Sequence, residues 1–366
     1  MHIISSMRQY SLLIIVILFH SIVSFADVDL IVWQPEPNAP RIILPKIKNE
    51  TPKQSVARYL QNLRLSEQLK SIVPRTFHFR EGRTEMLDQE DFKGRVRLAI
   101  NANTFEDMRI SGERIQRNIK VFESVGANPY VIALSAEINL AENEAERFRQ
   151  KVSEYFSVMV SLGGNDVDPN LYNEKNRHAI DTNYFNDQLE LKRIRYFKDA
   201  NRGVFFGICR GHQLGAVADG HQLYQDLTAD NIGRTGDHVR IDGDNSTSKQ
   251  MWHHITIQNS LLMRFLRGQT HMLVNSIHHQ AVKLNQNGDS FPIAYDDTGL
   301  IVEALQSKNN KSISVQFHAE FPVEVSGQTE FSRQGHQIIK GIVSYARTLR
   351  LKRYSAEVCK RLFNSY

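Results

Sequence analysis

Cysteine is scarce in this chain: Cys209 and Cys359 are the only two among 366 residues. Two distant cysteines exclude a disulfide framework, and the sequence favours two unpaired thiols over a single bridge. Long apolar runs are also missing. After the first 26 residues no segment approaches the roughly 20 apolar residues that a membrane-spanning helix needs. Metal-binding signatures are absent as well. There is no H-E-x-x-H, and the H-x-E at 318–320 lacks the P-C-x-x-C that would complete a zinc deaminase site. His253-His254 and His278-His279 are adjacent pairs, whose side chains diverge on a strand. No metal and no organic cofactor is expected. Repeats, low-complexity tracts and an ATP-binding P-loop are lacking too.

The charge balance excludes little. The net charge is +5 and the isoelectric point is about 9.1. The basic residues are scattered, with no Lys/Arg stripe interleaved with aromatics, so no nucleic-acid partner is expected. Hydrophobic residues make up 41% and charged residues 23% of the chain, a balance that argues against global disorder.

The N-terminus has a definite pattern. Arg8 precedes the apolar run Leu12 to Phe19, and Ser24-Phe25-Ala26 offers small residues at the −3 and −1 positions of a cleavage site. This is a secretory signal peptide pattern over residues 1–26. His20 interrupts the run, which disfavours an uncleaved anchor. No cysteine follows the site, which disfavours a lipoprotein. The expected location is secreted or periplasmic, with cleavage after Ala26 and no stable membrane insertion afterwards.

Residues 27–94 read as an N-terminal extension of unknown role, with a short strand at Ile42 to Leu44 and an amphipathic helix from Val56 to Ile72. From Arg95 the pattern becomes regular. Strands are expected at Val96–Ile100, Pro129–Leu134, Ser157–Leu162 and Val204–Ile208. Helices are expected at Arg109–Val125, Ala141–Tyr155, Tyr184–Ala200 and Gly211–Ala218. Alternating strands and helices predict a parallel sheet covered on both faces, with ligands beyond the carboxyl ends of the strands. The later part reads as short antiparallel strands: Ile255–Ile257, Met272–Val274, Ala281–Leu284, Ile293–Tyr295, Leu300–Leu305 and Ser312–Phe317. A helix at Glu330–Leu349 closes the domain, assigned to residues 95–350, and 351–366 reads as a tail.

The chemistry centres on GICRGHQ, residues 207–213. A strand running into G-x-C-x-G and then a helix is the cysteine form of a nucleophile elbow. The glycines permit a tight turn that lifts the thiol into the crevice. The helix N-terminus beneath favours a thiolate, and the Arg210 N–H can receive a developing oxyanion. The competing reading is a buried structural cysteine. A base would decide between them, and SVQFHAEFP, residues 314–322, supplies one. Residues two apart on extended backbone point to one side, about 7 Å apart. Glu320 can then orient His318 while the other imidazole nitrogen faces the nucleophile.

Four stretches, GICRGHQ, SLGGNDVDPNLY (161–172), NSIHHQAV (275–282) and VQFHAE (315–320), together resemble class I glutamine amidotransferase-like hydrolases. Within that superfamily they resemble the gamma-glutamyl-gamma-aminobutyrate hydrolase group, peptidase C26, over about residues 95–350. The resemblance implies a flavodoxin-like α/β fold, with a mostly parallel central sheet flanked by helices and extra antiparallel strands in the C-terminal half. It implies Cys209 as nucleophile, His318 as general base and acid, and Glu320 as orienter. It implies Gly164 and Arg210 N–H groups as the oxyanion hole. Gly163, Asn165, Asp166, Gln213, His279 and Gln280 are implied to line the substrate pocket. Plainer alternatives accompany these: Asp166 as a turn cap before Pro169, His278 as a packed core histidine, Gln213 as structural, and the Arg210 charge at the surface or in a salt bridge. His212 fills the variable slot of C-R-G-x-Q. In TGLIVEAL (298–305), Thr298 stands where similar proteins have aspartate and one extra residue intervenes, which suggests a β-bulge.

The expected activity is hydrolysis of a gamma-glutamyl amide in a small molecule through a thioester on Cys209. A homo-oligomer is compatible with the sequence. Two alternatives stay open: a glutaminase subunit passing ammonia to a separate synthetase, and a non-catalytic binding protein on the same fold. Glutamine hydrolysis that depends on a partner would favour the first, and an unreactive Cys209 the second.

Overall fold

The computed structural model describes residues 27–35, 37, 39–69, 82–87, 94–102, 112–233 and 251–363. The signal-peptide pattern at 1–26 lies outside them. In chain order the first half contains β1 (Val28–Gln34), β2 (Ile42–Ile47), α1 (Pro52–Leu69), β3 (Arg83–Met86), β4 (Val96–Ala102), α2 (Gly112–Ser124), β5 (Ala127–Ala133), α3 (Glu142–Tyr155), β6 (Val158–Ser161), α4 (Tyr184–Asp199), β7 (Val204–Ile208) and α5 (Arg210–Ala218). The second half contains β8 (Gln222–Tyr224), β9 (Met251–Ile257), α6 (Leu261–Phe265), β10 (His271–Ser276), β11 (Ala281–Lys283), β12 (Ser290–Asp296), β13 (Val302–Ser307), β14 (Ser312–Val315), α7 (Val323–Ser326) and α8 (Thr329–Phe363).

All the strands join one sheet, whose main path is β10-β9-β12-β13-β14-β7-β6-β4-β5-β2-β1-β3. The central run from β14 through β7, β6, β4 and β5 to β2 is parallel. Both flanks are antiparallel. Strand periodicity sorts the core. Val204, Phe206 and Ile208 of β7 face a cluster with Phe122 of α2 and Phe331, Ile338 and Ile342 of α8. Phe205 faces the opposite cluster, with Phe148 of α3, Leu191 and Ile194 of α4, and Leu214 of α5. Burial on both faces explains why β7 reads as a continuous apolar run.

Several expectations are refined. Residues 28–86 supply β1, β2, α1 and β3, and Ile42 of β2 pairs in parallel with Val131 of β5. The amphipathic helix expected at Val56–Ile72 runs Pro52–Leu69; residues 70–72 of that expectation lie outside the described residues. The helix expected to end at Leu349 continues to Phe363, so 351–363 is helix rather than tail. No glycine or proline interrupts that stretch, so nothing local stops the helix. The strand expected at Leu300–Leu305 begins at Val302. Asp296 Oδ1 accepts the N–H groups of Leu300 and Ile301 and closes the turn before it. The β12–β13 register shifts twice: the extra residue is Ile293 on β12 in the first shift and Glu303 on β13 in the second, the latter within the stretch where a bulge was expected.

Candidate active site

Cys209 stands between β7 and α5 with φ 52° and ψ −110°. A non-glycine residue in that region carries backbone strain of about 1–3 kcal/mol, which only a rigid surround maintains. Three hydrogen bonds supply it: Cys209 N–H to Val315 O at 2.9 Å, Gly211 N–H to Leu162 O at 3.1 Å, and Gln213 N–H to Cys209 O at 3.1 Å. Glycine is required at 211, because a Cβ there would lie 2.0 Å from Ser161 O. Close approach of elbow and neighbouring strand therefore sets the G-x-C-x-G spacing.

His318 reaches this cysteine from the end of β14. It faces Cys209 across Gly163 on one side, and its Nδ1 donates to Glu320 Oε1 at 2.8 Å on the other. The pair does not meet along an extended strand, as expected from the sequence. β14 stops at Val315, and the chain turns through Ala319 N–H to Phe317 O (3.1 Å) and Phe321 N–H to His318 O (3.2 Å). Two further contacts hold the ring's position. Asn275 Oδ1 accepts the His318 N–H at 2.8 Å. Phe321 stacks on the imidazole with centroids 4.6 Å apart at 23°. Burial works against an imidazolium here, but the charges and hydrogen bonds of Glu320 and Cys209 outweigh it and push His318 up to about 10. The surroundings thus favour the protonated form of His318.

Gly163 completes the close contact. A Cβ there would stand 2.7 Å from His318 Cε1 and 3.5 Å from the Cys209 Cβ. Gly164 follows it, and its N–H, like that of Arg210 at the start of α5, is engaged by no other described residue. Helix starts leave such donors unpaired.

The Arg210 side chain turns away from the crevice and is buried. It donates to Glu190 at 2.7 Å and to Asp187 at 2.5 Å, both on α4. Burial opposes its charge, and the two carboxylates overcome that opposition and raise it. Asp187 also accepts the Asp168 N–H at 2.9 Å. One carboxylate therefore ties the elbow to the loop that follows Gly164.

The remaining residues brace this loop. Asp166 accepts from His279 Nε2 at 2.9 Å and from the Ile180 N–H at 2.8 Å. His279 Nδ1 faces Asp226 at 3.2 Å. The turn cap before Pro169 is Asp168, not Asp166. Gln280 Oε1 accepts the Val167 N–H at 3.0 Å. Gln213 Nε2 donates to Gln280 O at 3.0 Å and contacts Gln316 Oε1 at 3.3 Å. Asn165 is exposed and reaches Asp181 O at 3.4 Å. His278 points elsewhere, its Nε2 lying 3.8 Å from the buried Glu303. Burial pushes His212 down to about 3, so it is a neutral core group whose Nδ1 meets Ser314 Oγ at 2.8 Å. Asn275, Phe321, Asp187, Glu190 and Asp226 escape the sequence reading. Of these Asn275 and Phe321 lie in quoted stretches.

No group of three or more His, Cys, Asp or Glu arranged for a metal ion occurs among the described residues. No helix among them is long and apolar enough to cross a membrane.

The family model Peptidase C26 matches residues 101–320. The glutamine amidotransferase-like protein YvdE of Lactococcus lactis is 33% identical over 175 residues, 47% of this chain and 70% of that one. Protein NtpR of Enterococcus hirae is 32% identical over 166 residues, 44% of this chain and 66% of its own length. A crystal structure of a glutamine amidotransferase from Thermotoga maritima superposes with a TM-score of 0.41 at 16% identity, covering 71% of this chain and 97% of that one.

Proposed function

We propose a function from the premise that the chain belongs to the peptidase C26 family and is a hydrolase acting on amide bonds. The bond is a gamma-glutamyl amide in a small molecule, and Cys209 is the nucleophile. The contact of His318 with both Cys209 and Glu320 carries this reading.

The Cys209 sulfur attacks the delta carbonyl carbon, and the carbonyl electrons move onto oxygen. The Gly164 and Arg210 N–H groups receive that oxyanion. On collapse the C–N bond breaks, and His318 Nε2–H gives its proton to the departing amine, leaving a gamma-glutamyl thioester. Water then attacks the thioester while His318 takes one of its protons. The C–S bond breaks, glutamate leaves, and the thiolate–imidazolium pair is restored. Glu320 holds the ring so that Nε2 faces the reacting atoms throughout. Asp166, His279, Gln213 and Gln280 shape the pocket by fixing the loop that carries Gly163 and Gly164. The N-terminal pattern over residues 1–26 places this activity outside the cytoplasm in our proposal.

Release of glutamate from a panel of gamma-glutamyl amides, followed by mass spectrometry with the wild type and Cys209→Ala, tests the reading. Turnover that the variant abolishes is expected. Full turnover by the variant would overturn it.

A further inference from the structure

Cys209 and His318 follow the carboxyl ends of β7 and β14. At the amino ends of the same two strands, where Ser312 pairs with Phe205, the molecule encloses a cavity of about 210 Å³. The last turns of α4 and α5 line it, and the turns into β12 and β14 complete its walls. Backbone bonds tie these walls together. Asp219 O accepts the Asp289 N–H at 3.0 Å, and Asp289 O accepts the Lys308 N–H at 3.2 Å. Ser307 Oγ accepts the Ser312 N–H at 2.8 Å and the Lys311 N–H at 3.2 Å, which fixes the turn into β14.

Seven charged side chains line this cavity, and three of them are engaged. Lys198 donates to Asp219 and, at 3.4 Å, to Gly215 O. Lys311 donates to Asn201 O at 2.5 Å. The other four, Arg195, Asp199, Asp289 and Lys308, form no side-chain hydrogen bond or ion pair among the described residues. Burial pulls the Lys198 ammonium down, and the charges of Asp219, Asp289 and Asp199 act against it, which places those carboxylates near it.

Two cations and two anions thus share one cavity without neutralising each other. A ligand of one sign would meet like charge from half of them. A small zwitterion satisfies both halves, its carboxylate accepting from Arg195 and Lys308 and its ammonium donating to Asp199 and Asp289. The volume is below the roughly 300–1,000 Å³ of pockets that enclose drug-sized ligands, so a molecule of amino-acid size fits.

We propose that this cavity is a second binding site, separate from the catalytic crevice, for a free α-amino acid. Its occupant bridges α4, α5 and the turn into β14, and so stabilises the elements that carry the crevice at their far ends.

The test titrates the purified chain with glycine, L-serine, L-glutamate and L-lysine, by calorimetry and by thermal melting. Each is run beside its N-acetyl and its methyl ester derivative. At least one free amino acid should bind and raise the melting temperature with its concentration. Comparison among the four reads which side chain the cavity prefers. Capping either end should weaken binding by about 10- to 100-fold, the range of a lost hydrogen bond to a charged group. Lys308→Ala and Asp289→Ala should each weaken it by a similar factor, and Lys308→Arg should retain it. Both residues are exposed, so the variants should keep the wild-type circular dichroism spectrum. An amino acid held in the crevice instead would bind both alanine variants as it binds the wild type. That result, no binding of any of the four, or equal binding of the capped derivatives would overturn the proposal. Binding is read without turnover, so the outcome does not depend on the reaction assigned to Cys209.

Discussion

Gly163 and His318 are so closely apposed that a single added methyl at 163 would come within 2.7 Å of the imidazole Cε1. The backbone of one motif thus forms the wall against which the histidine of another rests. Gly163→Ala should push the ring off Cys209 while the sheet beneath stays intact. A misplacement of about 1 Å costs on the order of 10²-fold in rate. We expect that loss in kcat/KM, with a circular dichroism spectrum like that of the wild type. Wild-type activity in the variant would show that His318 need not sit where it does.

The His318–Glu320 contact governs the alkaline limb of activity. His318 is raised to about 10 by Glu320 and Cys209 acting against burial. It must be protonated to release the amine, so kcat/KM should fall as the pH rises toward that value. Glu320→Gln removes the negative charge and lowers the histidine, so the alkaline limb should move to lower pH. The rate at neutral pH should drop by roughly 10²–10⁴-fold, the scale of losing an orienting carboxylate. A pH–kcat/KM profile of both proteins checks this. An unmoved alkaline limb in Glu320→Gln would contradict it.

The legible parts of this fold were those whose local signal agrees with their packing. β7, α5 and the glycine turns are readable because a doubly buried strand must be apolar and a strained elbow must carry glycine. β1 was missed for the complementary reason. VDLIVWQ is buried along most of its length, so it lacks the alternation that distinguishes a strand from a short helix. Membership of residues 28–86 in the main sheet depends on pairings with β5, more than 80 positions away for Ile42 and Val131, and no local pattern reports that. The site divides similarly. Cys209, His318 and Glu320 sit in short motifs. Asp187 and Glu190 are i, i+3 carboxylates on an ordinary-looking helix, and their role emerges only when Arg210 is found buried against them.

His279 predicts a pH-dependent stability. Burial lowers its pKa, but Asp166 and Asp226 on its two nitrogens outweigh burial and raise it above the usual 6.5. The sign follows from linkage. A group raised on folding stabilises fully below its unfolded value, and that contribution disappears as the pH rises through the folded value. The wild type should therefore exceed His279→Gln in urea midpoint by more at pH 5.5 than at pH 9. Equal differences at both values would mean that the imidazole stays neutral between the two carboxylates.

Arg210 is the converse case, a charge held by partners rather than tuned by pH. Its guanidinium is buried together with Asp187 and Glu190. Removing Glu190 leaves Asp187 to balance the cation but takes away the acceptor of one guanidinium N–H. Losing a buried hydrogen bond to a charged group costs about 1.5–3 kcal/mol. Glu190→Ala should show that loss in chemical denaturation and also lower kcat/KM, because Arg210 opens the helix whose N–H faces the oxyanion. Arg210→Met together with Glu190→Gln removes the positive charge and one of the carboxylates, leaving Asp187 to its Asp168 N–H. It should be less stable than Glu190→Ala, since the buried Asp187 carboxylate then has no cation opposite it. A double variant as stable as Glu190→Ala would mean that the Arg210–Asp187 pair contributes nothing to stability.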